Sequence, residues 1–342
     1  MRKMKVLLCV REDYQRNFQG DSKKVIETYN YLKKNNIEVK INSGHIADYS
    51  NFDIIHLFNI TRVGEIYKYY KLAHQAKKCV IISPIYWNIT KYYKFKNDFE
   101  KVRLFENSQM YRQKILKGCT YIIASSNLEK EALKEDFDIA SPIDVVYSGV
   151  EVEDESVPLY NFRERYKLNN YVLCVGCISV KKNQLTLAKV CNNLGIQLVL
   201  IGKVKDKDYF KQCIKFNNVM YLGFMDSYNI YNAYRFAKVH ALVSFIEKPG
   251  MSSLEAAASG CNILSTIEGS AKEYFKDMAE YCNPYSEEDI YEALNRCFNR
   301  RKDSKLKKYV KENYNWSNYI KKVKEIYLKA ESNFNEKYKN KC

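Results

Sequence analysis

What most constrains this chain is a rhythm that occurs twice: short unbroken apolar runs, each followed by a longer amphipathic stretch. In the first half the runs fall near residues 4–10, 37–41, 53–58, 79–83, 120–124 and 143–147. Segments such as Val80-Ile81-Ile82 and Tyr121-Ile122-Ile123 lack the in-out alternation of a sheet with one wet face, so they predict parallel strands covered by helices on both faces. The rhythm breaks around residues 151–167, an acidic stretch ending at Pro158 followed by the charged Phe162-Arg163-Glu164-Arg165-Tyr166-Lys167, which marks the best candidate for a domain junction. It then resumes, with strands near 171–176, 197–201, 219–222, 239–244 and 262–265 and helices near 183–194, 207–216, 227–236 and 251–260. A chain of 342 residues suits two domains. The expected fold class is therefore α/β, with two doubly wound parallel-sheet domains, residues 1–155 and 156–315, facing each other across a cleft. A final helix, about 316–342, carries Trp316, Tyr319, Ile320, Val323, Ile326 and Tyr327 at helical spacing and is expected to pack back on the first domain. Ligands of such sheets bind beyond the carboxyl ends of the strands, so the cleft is the expected site.

Composition narrows the partners. With 46% hydrophobic and 28% charged residues and few Gly and Pro, disordered and fibrous classes drop out. The balance of 56 Lys+Arg against 40 Asp+Glu leaves +16, which favours anionic partners: a phosphorylated substrate, an acidic membrane surface or nucleic acid. The abundance of Lys, Asn, Ile and Tyr is also what an AT-rich coding sequence yields without any ligand in view. The basic, aromatic segment from Tyr67 to Lys78, with Lys91 to Lys96 and Lys101 to Lys117, is either a solvated helix face or a surface for an anionic membrane or nucleic acid. The 11 cysteines are scattered through apolar runs and read as small buried hydrophobes of a reducing compartment. The apolar start is cut by Arg11, Glu12 and Asp13, so it predicts a first strand and no signal peptide. No run reaches the roughly 18 apolar residues that would span a bilayer. The expected location is cytoplasmic, with peripheral attachment to the inner face of the membrane as an extension of the basic charge.

The most informative stretch runs from Val239 to Ser265 and reads strand, loop, helix, strand. Gly250 permits close backbone approach and Ser252 and Ser253 suit a helix start, so free amides at this helix N-terminus could hold a diphosphate without a metal. Glu247 precedes the helix and Glu255 lies on its second turn, separated by seven residues. Carboxylates do not bind phosphate; they accept hydrogen bonds from sugar and ribose hydroxyls.

With these residues in place the chain resembles the retaining glycosyltransferases of family 4, which have the GT-B architecture of two Rossmann-like domains and an E-x7-E motif. Further matches run along the chain: Gly20-Asp21, Asp53 to His56, Ser125-Ser126, Ser148-Gly149-Val150, Val175-Gly176 with Lys182-Asn183-Gln184, Ile201-Gly202, Leu222-Gly223, and Gly269 with Glu273. The resemblance implies that Glu255 holds the nucleotide ribose, Glu247 the donor sugar, and the amides of Gly250, Met251, Ser252 and Ser253 the diphosphate and sugar hydroxyls. It implies that Lys182 neutralises phosphate and that a loop at Gly20 closes over the diphosphate. The activity implied is metal-independent transfer of a sugar, with retention, from a nucleoside diphosphate sugar such as a UDP-sugar to a glycan or lipid-linked acceptor of a bacterial surface polysaccharide. No cofactor is implied beyond that substrate, and nucleic acid is not a partner.

The chain departs from the family pattern in three places. An Arg common after the Val-Gly pair is Cys177 here, and a thiol cannot neutralise a phosphate. A His common after the fourth strand is replaced by Pro84-Ile85-Tyr86-Trp87, which leaves Tyr86 as the candidate hydroxyl donor. Lys248-Pro249 stands where Gly-Phe is usual. A same-fold epimerase, an inactive nucleotide-sugar-binding module and, remotely, a basic nucleic-acid-binding protein are the alternatives. Cys174 and Cys177 read as packing rather than a zinc pair, Asp206 and Asp208 as a solvated helix start rather than a manganese motif, and His45, His56, His74 and His240 as structural, with His56 able to face the cleft.

Overall fold

The computed structural model describes residues 3–151 and 158–339, and the chain divides into two compact units, 1–149 with 316–342, and 150–315. Residues 152–157 of the expected junction and 340–342 of the expected last helix lie outside the described residues.

The first unit runs β1 (Lys5–Cys9), α1 (Gly20–Lys34), β2 (Glu38–Asn42), β3 (Ile54–Phe58), α2 (Val63–Gln75), β4 (Cys79–Ser83), α3 (Thr90–Phe95), α4 (Phe99–Asn107), α5 (Gln109–Gly118), β5 (Tyr121–Ala124), α6 (Asn127–Asp136) and β6 (Ile143–Val145). The second runs α7 (Phe162–Tyr166), β7 (Tyr171–Val175), α8 (Gln184–Asn193), β8 (Gln197–Ile201), α9 (Lys207–Cys213), β9 (Val219–Tyr221), α10 (Ser227–Phe236), β10 (Val239–Leu242), α11 (Met251–Ala258), β11 (Asn262–Thr266), α12 (Ala271–Phe275), β12 (Glu280–Cys282), α13 (Glu287–Asn299) and α14 (Lys305–Asn313). The last helix, α15 (Trp316–Lys339), belongs to the first unit.

Each unit is a six-stranded parallel sheet, ordered β2-β1-β3-β4-β5-β6 in the first and β12-β11-β10-β7-β8-β9 in the second. The unbroken apolar runs explain this: every residue of β3, β4, β5, β7 and β10 is buried, which requires cover on both sheet faces. The short edge strand β12 has no comparable apolar run, and the sequence reading missed it.

The stripe on α15 packs as its spacing implies, with Trp316, Tyr319, Ile320, Val323, Ile326 and Tyr327 all buried and the helix lying against α1 and β4. Two hydroxyls lock it: Tyr319 shares a hydrogen bond with Thr28 Oγ1 at 3.3 Å, and Tyr327 with His56 Nδ1 at 2.7 Å. His56, whose other ring nitrogen meets Ser83 Oγ at 3.0 Å, is thus interior packing under α15 and offers nothing to a ligand.

Candidate functional site

In the second unit the strand order reverses between β7 and β10, and the crevice at such a switch point is where ligands of open α/β sheets bind. The loops leaving the carboxyl ends of these two strands carry Lys182 and Glu247, and their side chains meet there, Lys182 Nζ to Glu247 Oε1 at 2.5 Å. The carboxylate is 5% exposed and the lysine side chain 26%, so the pair is shielded but reachable from the lysine side. Burial pulls the Lys182 pKa down, yet the charge of Glu247 and its hydrogen bond outweigh this and leave the ammonium held above its ordinary value. Two of the three ammonium protons remain available in addition to the one on Glu247.

Several contacts fix this pair. Asn183 Nδ2 donates to the carbonyls of Val243 (3.2 Å) and Pro284 (3.1 Å), and the Phe245 amide donates to the Lys181 carbonyl (3.1 Å), which staples the two loops. Gln184 Nε2 reaches back to the Cys177 carbonyl at 2.9 Å. The backbone of Glu247 is itself clamped: its amide donates to the Glu268 carbonyl and its carbonyl accepts from the Ser270 amide, both at 3.0 Å. Gly269 makes that clamp possible, because its φ is +116° and a Cβ there would fall 1.9 Å from the Glu247 carbonyl oxygen.

The helix beyond the loop opens at Gly250, whose φ is +91°. A side chain at Gly250 would press on the carboxylate, since its Cβ would lie 3.2 Å from Glu247 Oε2. No side chain caps α11. The Ser253 and Leu254 amides return to the Gly250 carbonyl at 3.0 and 3.2 Å, whereas those of Met251 and Ser252 have no partner among the described residues. Two free donors at the positive end of a helix dipole are groups of the kind that accept an anion. Glu255 sits one turn beyond Met251 on the same helical face, leaning toward that N-terminus, and its Oε2 accepts from Tyr234 Oη at 3.1 Å.

Ser253 differs from expectation. It is fully buried, its amide is spent on Gly250, and its Oγ lies 3.4 Å from His240 Nδ1, so it supports the turn and does not reach a ligand. His240 Nε2 in turn accepts from the Val175 amide at 3.4 Å, which assigns the proton to Nδ1. Burial, with the nearby Lys182 charge, pushes the His240 pKa down from 6.5 to about 3. A folded-state value below the unfolded one means that this histidine's contribution is complete above pH 6.5 and is lost as pH falls from there toward 3. The expected slope is about 1.4 kcal/mol of unfolding free energy per pH unit within that window. Urea denaturation at several pH values would measure it, and His240→Asn should remove that part of the slope.

The first unit corrects two further expectations. Tyr86 is fully buried: its hydroxyl donates to Asp136 Oδ2 at 2.6 Å and accepts from Gln109 Nε2 at 3.0 Å, and its ring packs against Phe105 and Phe137. With its one proton on Asp136, Tyr86 has none to give a sugar. Gly20 is the exposed first residue of α1 and does not lie in a loop. The loop before it is held by Arg11, a residue the sequence reading passed over. Arg11 is 2% exposed and grips Asp21 with two hydrogen bonds (2.8 and 3.1 Å), Asp13, the Asn17 carbonyl and Ser22 Oγ. An Arg just past an apolar strand, with an Asp opening the next helix, was the signal available.

Among the described residues no group of three or more His, Cys, Asp or Glu side chains could hold a metal ion. Cys174 is buried in β7, Asp206 caps α9 by accepting from the Tyr209 amide at 3.0 Å, and Asp208 is exposed beside Lys211. No helix among the described residues is long and apolar enough to cross a membrane.

Comparison with known proteins gives the family and the fold. Residues 161–332 match the family described as Glycosyl transferases group 1. Over 256 residues the chain is 22% identical to the uncharacterized glycosyltransferase MJ1607 of Methanocaldococcus jannaschii, a match spanning 68% of this chain and 64% of that relative. Sucrose-phosphate synthase from Thermosynechococcus elongatus has a similar fold, with a TM-score of 0.79 and 14% identity, over 96% of this chain and 99% of that one. So does Anabaena Alr3699/HepE, solved in complex with UDP and glucose, with a TM-score of 0.75 and 15% identity, over 94% and 99% of the two chains. The fold is GT-B, each unit Rossmann-like. The match covers half of the chain, including β7, β10 and the whole Lys182 to Glu255 site, and the chain belongs to the group 1 glycosyl transferases.

Proposed function

We propose that this protein is a retaining glycosyltransferase that takes its sugar from a nucleoside diphosphate donor, a UDP-sugar in the first instance, and passes it to a glycan or lipid-linked acceptor of a bacterial surface polysaccharide. The observation that carries the reading is the pair of amides, Met251 and Ser252, that have no partner among the described residues, in the loop that also brings Glu247 to Lys182 at the switch point of the second sheet. In this reading the diphosphate lies on those amides and Lys182 bridges from Glu247 to a phosphate oxygen. Glu247 accepts from a sugar hydroxyl, and Glu255, oriented by Tyr234, accepts from the ribose. Anion binding by amides and an ammonium needs no metal. The bond from the anomeric carbon to the diphosphate breaks, the acceptor oxygen bonds to that carbon on the same face, and the acceptor's proton passes to the departing diphosphate. Cys177, half-buried with its Sγ 3.9 Å from Ser179 Oγ, leaves Lys182 as the cation of this cradle. The family 4 assignment and the E-x7-E roles of Glu247 and Glu255 go with this proposal.

The test is a thermal-shift screen of nucleotide sugars, followed by incubation of the stabilising one, isotopically labelled, with and without acceptors. A donor at about a hundred times its dissociation constant stabilises by roughly 2.7 kcal/mol. Glu255→Ala should abolish that shift, and an unchanged shift would remove the ribose assignment. Transfer or slow hydrolysis with retained configuration supports the proposal. Interconversion of the sugar would make the protein an epimerase, and binding without turnover over any acceptor would make it a binding module.

A further inference from the structure

We propose that Arg163, Arg235, Lys238 and Lys302 form an anion site of their own in the second unit, at the edge of the sheet opposite Lys182 and Glu247, and that it takes a diphosphate group. The proposal does not rest on the donor reading.

Hydrogen bonds bring the four together. Arg163 on α7 donates through Nε to the Phe236 carbonyl at 3.0 Å, between Arg235 in the last turn of α10 and Lys238 just before β10. The Lys238 amide donates to the carbonyl of Tyr171, which opens β7, at 3.1 Å, and its carbonyl accepts from the amide of Asn262, which opens β11, at 3.3 Å. Asn262 Nδ2 in turn donates to the Arg300 carbonyl at 2.9 Å, and Lys302 follows. Arg235 Nη1 lies 4.0 Å from the point where a Cβ on Gly260 would stand, with Lys307 Cδ 3.8 Å from the same point. These anchors are at the amino ends of the strands, whereas Lys182 and Glu247 lie beyond the carboxyl ends. Helix α11, of 8 residues and so about 12 Å long, runs from one edge to the other.

Lys and Arg at helix ends ordinarily satisfy the last carbonyls. Here those carbonyls are taken. Phe236 holds Arg163, Cys297 and Arg300 hold Asn262, Ala233 holds the Ala237 amide and the Tyr171 hydroxyl, and Ala256 and Ala257 hold the amides of Cys261 and Gly260. Among the described residues the side chains of Arg235, Lys238 and Lys302 donate to no acceptor, and none of the four cations enters an ion pair. The acids nearest in the chain are engaged: Glu164 accepts from Asn161, Asp303 from the Lys305 amide, and Glu280 faces Arg296 and Arg300. Burial, and then the charges of Arg163, Arg235 and Lys238, pull the Lys302 ammonium below its ordinary pKa, as like charges gathered without a counter-ion do. Arg163, Lys238 and Lys302 are half-buried, so the charges converge on one sheltered spot. Guanidinium forks take phosphate oxygens in pairs and ammonium groups add point charges, which suits a compact ligand of two or more negative charges. None of the large exposed apolar side chains belongs to α7 or to residues 235–238, 259–262 or 300–302, so a bilayer or an apolar partner would find nothing to bury here. A single strand of nucleic acid would need aromatic platforms along a track of cations, and this cluster has neither.

Inorganic pyrophosphate is the probe, titrated calorimetrically into the full chain at about 0.1 M salt, with no sugar nucleotide present. The parent should bind it, and more weakly as salt rises and screens the cluster. The Lys238→Gln, Lys302→Gln variant should lose roughly tenfold or more in affinity, since each exposed charge contact contributes up to about fivefold. The Lys182→Met, Glu247→Gln variant should bind as the parent does, which places the ligand away from the donor site. Thermal melts without anion separate a ligand site from a structural one. Removing two of four mutually repelling charges should leave the melting temperature of the Lys238/Lys302 variant equal to the parent's or above it. A lower melting temperature would make these cations supports of the helix ends and overturn the proposal. No binding by the parent, binding that survives the Lys238/Lys302 change, or binding lost with Lys182 and Glu247 would each overturn it. So would duplex RNA held by the parent and released by the Lys238/Lys302 variant while pyrophosphate is ignored.

Discussion

Replacing Glu247 by Gln is expected to lower kcat/KM by on the order of a hundred- to a thousandfold, the scale at which removing one prepositioned polar group of a reaction site is felt. The substitution keeps the shape and removes the charge that Lys182 meets at 2.5 Å. A purely structural ion pair would predict something else. In that case Glu247→Gln would cost stability by stranding a shielded ammonium, and adding Lys182→Met would restore both stability and activity. The proposed chemistry predicts that the double variant regains melting temperature but no turnover. Steady-state kinetics and melts of the two single variants and the double variant distinguish the cases.

Gly269→Ala should be the most damaging small substitution in the second unit. The residue has φ +116°, and the added methyl would fall 1.9 Å from the carbonyl oxygen of Glu247. Backbone strain of this kind costs about 1–3 kcal/mol, and the clash must be relieved by moving the Glu247 clamp, so a loss of about 3 kcal/mol or more is expected. Differential scanning calorimetry would record it. Activity should fall further than stability alone explains, because the two backbone bonds that set the carboxylate are those displaced.

The parts of this architecture legible in the sequence are those set by local pattern. Runs such as Cys79 to Ser83 and Tyr171 to Val175 announced buried parallel strands because nothing polar interrupts them. Gly250 followed by Ser252 and Ser253 announced the turn into α11, because a glycine tolerates the φ of +91° and small polar residues suit a helix start. What was illegible depends on partners distant in sequence. Tyr86 has a hydroxyl wherever it sits, and only the approach of Asp136 and Gln109 shows that it is spent inside the first unit. Ser253 looked like a ligand donor until His240, thirteen residues earlier, was found against it. Gly20 was expected in a loop, but Arg11 and Asp21 draw the chain into a helix at that point. Strand β12 exists because the edge of β11 offers it pairing, not because Glu280-Tyr281-Cys282 is apolar.

The central claim is that the amides opening α11 hold the diphosphate of a nucleotide. Residue-resolved amide hydrogen exchange of the protein with and without UDP tests it most directly. The account predicts that the Met251 and Ser252 amides, open in the free protein, become protected in proportion to bound nucleotide. Nucleotide binding that leaves both amides exchanging at their free rates, with protection appearing elsewhere, would contradict it.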